Sequence, residues 1–188
     1  MKLTRISCSF IVTLISFFAY SQKQRIHFNS INSGGIIIGK TASYGLFQTV
    51  NGITYKKWFG GLGAGYDYHY YTSIPAFVDV RRFLDRKGNI FIYSDLGYNF
   101  PGKEKPGNEI TSYTSYYFSR GLYSDLGFGY KITISKSNHF ILTGGYSNKK
   151  LSYKTEAVSC PFVGPCYENI YHYNYSFGRI IFKAGIQF

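Results

Sequence analysis

From residue 33 onward, hydrophobic and polar positions alternate along the chain with few interruptions. In the last segment one face carries Ser176, Gly178, Ile180, Phe182, Ala184, Ile186 and Phe188, and the other carries Phe177, Arg179, Ile181, Lys183, Gly185 and Gln187. A period of two places successive side chains on opposite sides of a strand. The same division sets Ile90, Ile92, Leu96 and Tyr98 against Asp95, Gly97 and Asn99, and Leu122, Leu126, Phe128, Tyr130 and Ile132 against Asp125, Gly127, Gly129 and Lys131. Eight segments of this character are expected, at 34–40, 44–55, 58–70, 74–84, 89–100, 113–135, 139–151 and 172–188, separated by Gly, Asn, Ser, Lys and Pro clusters. No helical period of comparable length competes. The expected architecture is all-β: an eight-stranded antiparallel up-and-down transmembrane β-barrel.

The connections between segments alternate in length. Those at 55–58, 85–89 and 135–139 are short, whereas 101–112 and 152–171 are long. Short turns on one side and long loops on the other are the asymmetry of an outer-membrane barrel, with the short turns in the periplasm. The string YSDLG occurs at 93–97 and again at 123–127. It reads equally as a duplicated hairpin unit and as a shared constraint on neighbouring strands.

Charge decides which face meets lipid, because a membrane barrel turns its apolar face outward and keeps a polar lumen. Opposite the apolar face stand Asp67, Asp79, Asp95 and Asp125 together with Arg81, Lys131, Arg179 and Lys183. These eight residues are expected to line the interior as a paired network, since unpaired charge in so narrow a space is costly. A rigid plug of salt bridges is the simpler reading of such a network, and a proton or ion path the sharper one. Gly63, Gly65, Gly97, Gly127, Gly129 and Gly185 share the inner face and make room for long side chains from across the barrel. Aromatic residues gather near the expected outer ends (Tyr66, Tyr68, Tyr70, Tyr71, Tyr113, Tyr116, Tyr117, Tyr171, Tyr173, Tyr175) and inner ends (Tyr55, Trp58, Phe83, Phe140, Phe188). They read as two interfacial girdles, with sugar stacking as an alternative for the outer group.

The N-terminus adds an address. Lys2 and Arg5 precede a mostly apolar stretch at 6–18, and Ala19 and Ser21 occupy the positions read by a signal peptidase. Residues 1–21 are therefore expected to be a signal peptide and 22–188 the barrel domain. The apolar stretch falls short of the roughly 20 residues of a spanning helix. With 20 Tyr, 17 Phe and 21 Gly among 188 residues and a single Met, the composition suits strands and interfaces and excludes an ordinary helical enzyme or a disordered chain. The whole chain has 21 basic and 9 acidic side chains. Export makes nucleic acid an improbable partner for that excess. Lys103, Lys105, Lys149, Lys150 and Lys154 are expected in outer loops, and Arg86, Lys87 and Lys136 in periplasmic turns, where contact with lipid phosphates and simple solvation compete.

With the leader and the alternating strands, the terminal run FKAGIQF is similar to the outer-membrane β-barrel proteins of Gram-negative bacteria. The run at 52–84, GITYKKWFGGLGAGYDYHYYTSIPAFVDVRRFL, and the later FIYSDLGYNFP resemble a small OmpA-like or PorT-like eight-stranded barrel family of Bacteroidetes, which has no assigned activity. The resemblance implies that Phe188 is the assembly signal read by the barrel-assembly machinery. It brings no catalytic residue, and a soluble domain after the last strand is not expected.

Candidate chemistry is sparse. Cys160 and Cys166 stand in CPFVGPC within the longest expected outer loop, a candidate disulfide in an oxidising envelope. His172 and Ser176 lie on one face of a strand but about 13 Å apart, too far for a direct hydrogen bond. Asp67 and His69 share the inner face about 7 Å apart, where a satisfied interior His is the simpler reading. His27 and His139 are expected near the N-terminus and a turn. GGLGAG lies inside a strand without a following helix and is no phosphate loop. No cofactor, metal site or catalytic residue is expected. The preferred reading is a non-enzymatic outer-membrane protein with a side-chain-filled lumen, contacting outer-membrane lipid and an extracellular or envelope protein through its outer loops. The alternatives are a membrane-embedded lipid-modifying enzyme, a narrow channel and a soluble lipocalin-like carrier.

Overall fold

The computed structural model describes residues 26–39, 42–69, 71–102, 114–159, 164 and 166–188. The expected signal peptide, residues 1–21, lies outside them. Among the described residues nine strand segments are formed: β1 (His27–Ile38), β2 (Ser43–Tyr55), β3 (Trp58–His69), β4 (Tyr71–Phe83), β5 (Ile90–Pro101), β6 (Thr114–Ser119), β7 (Gly121–Thr133), β8 (His139–Ser159) and β9 (Tyr167–Gln187). β6 and β7 lie in line on either side of Arg120 and both pair with β8, so together they make one strand. Every pairing is antiparallel, and β9 pairs with both β8 and β1. The sheet thus closes into an eight-stranded up-and-down barrel in which β1 to β5 and β7 to β9 each pair with a neighbour on both sides, the arrangement that satisfies backbone polar groups inside a bilayer.

Strand length suits the task, because about 9–11 tilted residues cross a membrane and the strands from β1 to β5 have 12 or 13. Three tight connections share one end of the barrel, hereafter the turn end. Lys56 and Lys57 join β2 to β3 with φ 55° at Lys56, and the turn between β4 and β5 uses Gly88 at φ 73°. Glycine accepts that left-handed backbone freely, whereas Lys56 adopts it at some cost.

The burial pattern is inverted relative to a soluble protein. Leu62 is 71% exposed and Phe128 69%, while Asp79 is fully buried and Asp125 is 1% exposed. Apolar side chains on the outside with carboxylates within define a barrel of the outer-membrane type. The interior is less uniformly polar than the alternation implies. Phe59, Phe77, Phe83, Phe91, Tyr93 and Tyr123 form one buried cluster with Ile31, Val50 and Ile141. Phe83, expected in an interfacial girdle, points inward and meets Phe91 edge-on at 5.7 Å. Space for these rings comes from missing side chains: a Cβ at Gly129 would collide with the Phe91 ring, and one at Gly63 with Phe77.

At the other end the strands overrun the barrel. β8 and β9 have 21 residues each, and their pairing continues to Ser159 opposite Tyr167. The pairing of β9 with β1 stops at Ile180 opposite Ile38. Most of the long loop expected at 152–171 is therefore a projecting hairpin, joined on its β8 side by β6. Likewise β1 begins at His27 rather than at residue 34.

Candidate functional site

The interior charges are organised by register. Asp79 of β4 stands directly opposite Asp95 of β5, which stands directly opposite Asp125 of β7. Three carboxylates in a row on adjacent strands repel one another unless cations intervene. Arg81, two residues along the same face from Asp79, donates to it from Nε at 3.0 Å and from Nη2 at 2.6 Å. Its guanidinium also lies over the rings of Phe59 and Phe91, at 5.4 and 5.3 Å. Lys183 reaches from β9 to Asp125 at 2.8 Å and to Asp95 at 3.5 Å, and donates to Gln48 Oε1 at 3.1 Å. Gln48 Nε2 in turn donates to the Tyr123 hydroxyl at 3.0 Å, and the Tyr93 hydroxyl donates to Asp125 at 3.0 Å.

The repeated YSDLG strings meet at the centre of this arrangement. Tyr93 pairs with Gly127, Asp95 with Asp125 and Gly97 with Tyr123. Each tyrosine of one copy lies opposite the glycine of the other, and a Cβ at Gly127 would meet the Tyr93 ring at 2.8 Å. A bulky ring over a bare backbone is a recurring way to pack paired strands. The repeat thus corresponds to two neighbouring strands with the same packing requirement.

The structure distributes the eight proposed lumen charges unevenly. Asp67, Asp79, Arg81, Asp95, Asp125 and Lys183 are buried. Lys131 is half-buried at the turn end with its ammonium 5.0 Å from the Phe83 ring. Arg179 is half-buried above the network, its guanidinium 5.4 Å from Tyr44 and 5.8 Å from Phe177. The base that pairs with Asp67 is instead Lys149, which was expected in an outer loop but is a buried residue of β8. Asp67 also accepts from the Ser73 hydroxyl. The sequence carried the signal for Lys149, since it shares the inward parity of Ile141, Gly145 and Ser147. Among the described residues the buried acids Asp67, Asp79, Asp95 and Asp125 face the buried bases Arg81, Lys149 and Lys183, and Asp95 Oδ1 has no hydrogen-bond partner.

The projecting hairpin carries the second concentration of unusual side chains. Tyr153 of β8 stacks on Tyr173 at 4.9 Å and on Tyr175 at 5.8 Å, and Tyr175 stacks on Phe177 at 5.8 Å. Arg179 follows Phe177, so a cation ends the row nearest the barrel. These positions share parity with the inward residues Ile181 and Lys183, which puts the row on the hairpin face continuous with the lumen wall. Tyr171, Tyr173 and Tyr175 were expected in a lipid girdle. Tyr66 and Tyr68, expected in the same group, do face outward from β3. The side chains of Tyr71, Tyr116 and Tyr117, and the whole of Tyr70 and Tyr113, lie outside the described residues.

Other candidates scatter. His172 is exposed on the opposite face of β9, and the Ser176 hydroxyl donates to Asn148 at 3.3 Å. The side chain of His69 lies outside the described residues, as does Cys160, so the candidate disulfide partner of Cys166 falls there too. Phe188 exchanges two backbone hydrogen bonds with Ser30, at 2.9 and 3.2 Å, and its ring is exposed.

No protein-family profile matches the chain. No curated protein matches it either. Among solved structures, the chain is similar to the outer membrane protein AlkL, determined by solid-state NMR in DMPC lipid bilayers. That match has a TM-score of 0.45 at 10% identity, covering 86% of this chain and 88% of that one. It is also similar to the outer membrane protein OprG from Pseudomonas aeruginosa, with a TM-score of 0.44 at 13% identity, covering 87% of this chain and 92% of that one. Both likenesses are of fold.

Proposed function

We propose that the protein is a non-enzymatic outer-membrane barrel with a side-chain-filled lumen, and that its projecting hairpin is the element through which it contacts another envelope or extracellular protein. The observation carrying this reading is the extension of β8 and β9 beyond the barrel wall, with the row Tyr153, Tyr173, Tyr175 and Phe177 on one face. Rigid aromatic side chains on a stiff strand lose little entropy on binding and are favoured at protein contacts. The same reading puts the short turns in the periplasm and the hairpin outside, has Phe188 engage the barrel-assembly machinery, and has Cys160 and Cys166 form a disulfide. It also includes kinship with the Bacteroidetes-type barrels that the runs at 52–84 and 91–101 resemble.

The test is site-specific photocrosslinking in intact cells. A photoreactive residue at position 173 is expected to form a discrete protein adduct, while one at position 96, whose Leu faces outward at 58% exposure, is expected to label lipid. Lipid labelling alone at both positions would overturn the proposal.

A further inference from the structure

The turn end of the barrel encloses a bowl of about 550 Å³ lined from three separate connections. Lys56 and Lys57 come from the β2–β3 turn, Arg86 and Lys87 from the β4–β5 turn, Lys136 from the β7–β8 turn, and Lys131 from the wall of β7. Phe83 and Gln187, both buried, are part of its lining. Six cationic side chains therefore share the bowl with one acidic side chain, Asp85. The Oδ1 of that carboxylate accepts from the amides of Asn89 at 2.7 Å and Ile90 at 3.1 Å, and its charge offsets in part that of Lys131. In the interior, acids and bases occur in near balance and touch. Here cations from independent turns converge with no comparable set of acids.

Like charges gathered within roughly a Debye length of 8–10 Å repel one another, and an anion held among them relieves that repulsion. The volume exceeds that of a single phosphate, and the cations are spread around the rim, which matches a ligand carrying several anionic groups. Lysine ammonium groups on flexible stems serve as adaptable phosphate contacts. We infer that the bowl at the turn end is a binding site for a phosphate-bearing polyanion. With the short turns in the periplasm, as proposed above, the ligand arrives from that side, either as an anionic phospholipid headgroup of the inner leaflet or as a soluble polyphosphate compound. The interior network and the projecting hairpin take no part.

The experiment uses the full chain folded in zwitterionic detergent micelles, with tripolyphosphate and, separately, vesicles containing a diphosphatidyl lipid as probes. Calorimetric titration is expected to show saturable binding that weakens as salt is raised. The triple variant Lys57→Gln, Lys87→Gln, Lys136→Gln is expected to lose affinity by about tenfold or more. The Lys→Arg variant at the same three positions is expected to retain it. Heat-modified migration on gels checks that each variant is folded. Saturation by tripolyphosphate identifies a soluble-phosphate site, and saturation by the vesicles alone identifies a headgroup site. Binding unchanged in the Lys→Gln variant, or no binding of either probe by the parent, overturns the inference. Orientation in the membrane does not enter these measurements, so their failure is separable from failure of the proposed topology.

Discussion

Arg81 and Asp79 show how much depends on a single pair inside this barrel. Both side chains are buried, and the guanidinium is held between two aromatic rings as well as by the carboxylate. Replacing Arg81 with Leu strands Asp79 beside Asp95, so the loss should approach the roughly 3–5 kcal/mol typical of breaking a buried pair. The double replacement Asp79→Leu, Arg81→Leu removes both charges and should cost much less. Urea titration of the refolded barrel in lipid vesicles measures the difference. Equal losses in the two variants would show that packing of the arginine stem, not its charge, supports the wall. At this scale the sequence was legible as far as parity reaches. The inward positions of Asp79, Arg81, Asp95, Asp125 and Lys183 follow from counting along strands. The choice of partner does not, because Lys149 of β8 meets Asp67 of β3 across the interior, between strands that do not pair and residues 82 apart in the chain.

At the scale of the element, the turn between β4 and β5 carries its own pH dependence. Desolvation raises the Asp85 carboxyl, but backbone hydrogen bonds, those from the amides of Ile90 and Asn89 foremost, together outweigh it and hold the group below the usual carboxylate range. A lowered folded value means that the fold favours the ionised form. Its contribution is complete above the unfolded carboxyl value and disappears as pH falls through the lower folded value. Amide resonances of Asn89 and Ile90 should therefore shift in the acid range in the parent and stay flat in Asp85→Asn. Coincident titrations in both proteins would remove Asp85 as the cause. Elements were also where the pattern misled. Residues 152–159 alternate, but with Ser, Tyr, Lys, Thr and Glu on both faces they offer no apolar stripe. Only hydrogen bonding to β9 and β6 identifies them as strand. The polar start of β1, His27 to Ser33, was hidden in the same way, and its pairing with β2 and β9 supplies what its composition does not.

For the molecule as a whole, the interior joins two kinds of filling. Buried aromatic rings pack against one another, as with Phe77 and Tyr123 at 5.3 Å, and charged groups such as Arg81 and Lys183 lie over such rings. Planar bilayers containing the purified barrel should accordingly show no steady conductance under an applied potential. Stable unitary steps would mean that the filling moves aside, and the narrow-channel alternative would then take precedence. The eight-stranded plan itself was readable because every spanning strand repeats one apolar face. The bowl of cations was not, because its members sit in three turns that only barrel closure brings around one space.

Lys183 has one further consequence, for the order of events during assembly. It lies on the last strand, whereas the carboxylates it contacts lie on β5 and β7. Until β9 docks, the chain holds Asp95 and Asp125 opposite each other with no ammonium between them. Arrival of β9 therefore closes the wall and brings an ammonium between these two acids in one step, so an incompletely assembled barrel remains electrostatically distinguishable from a finished one.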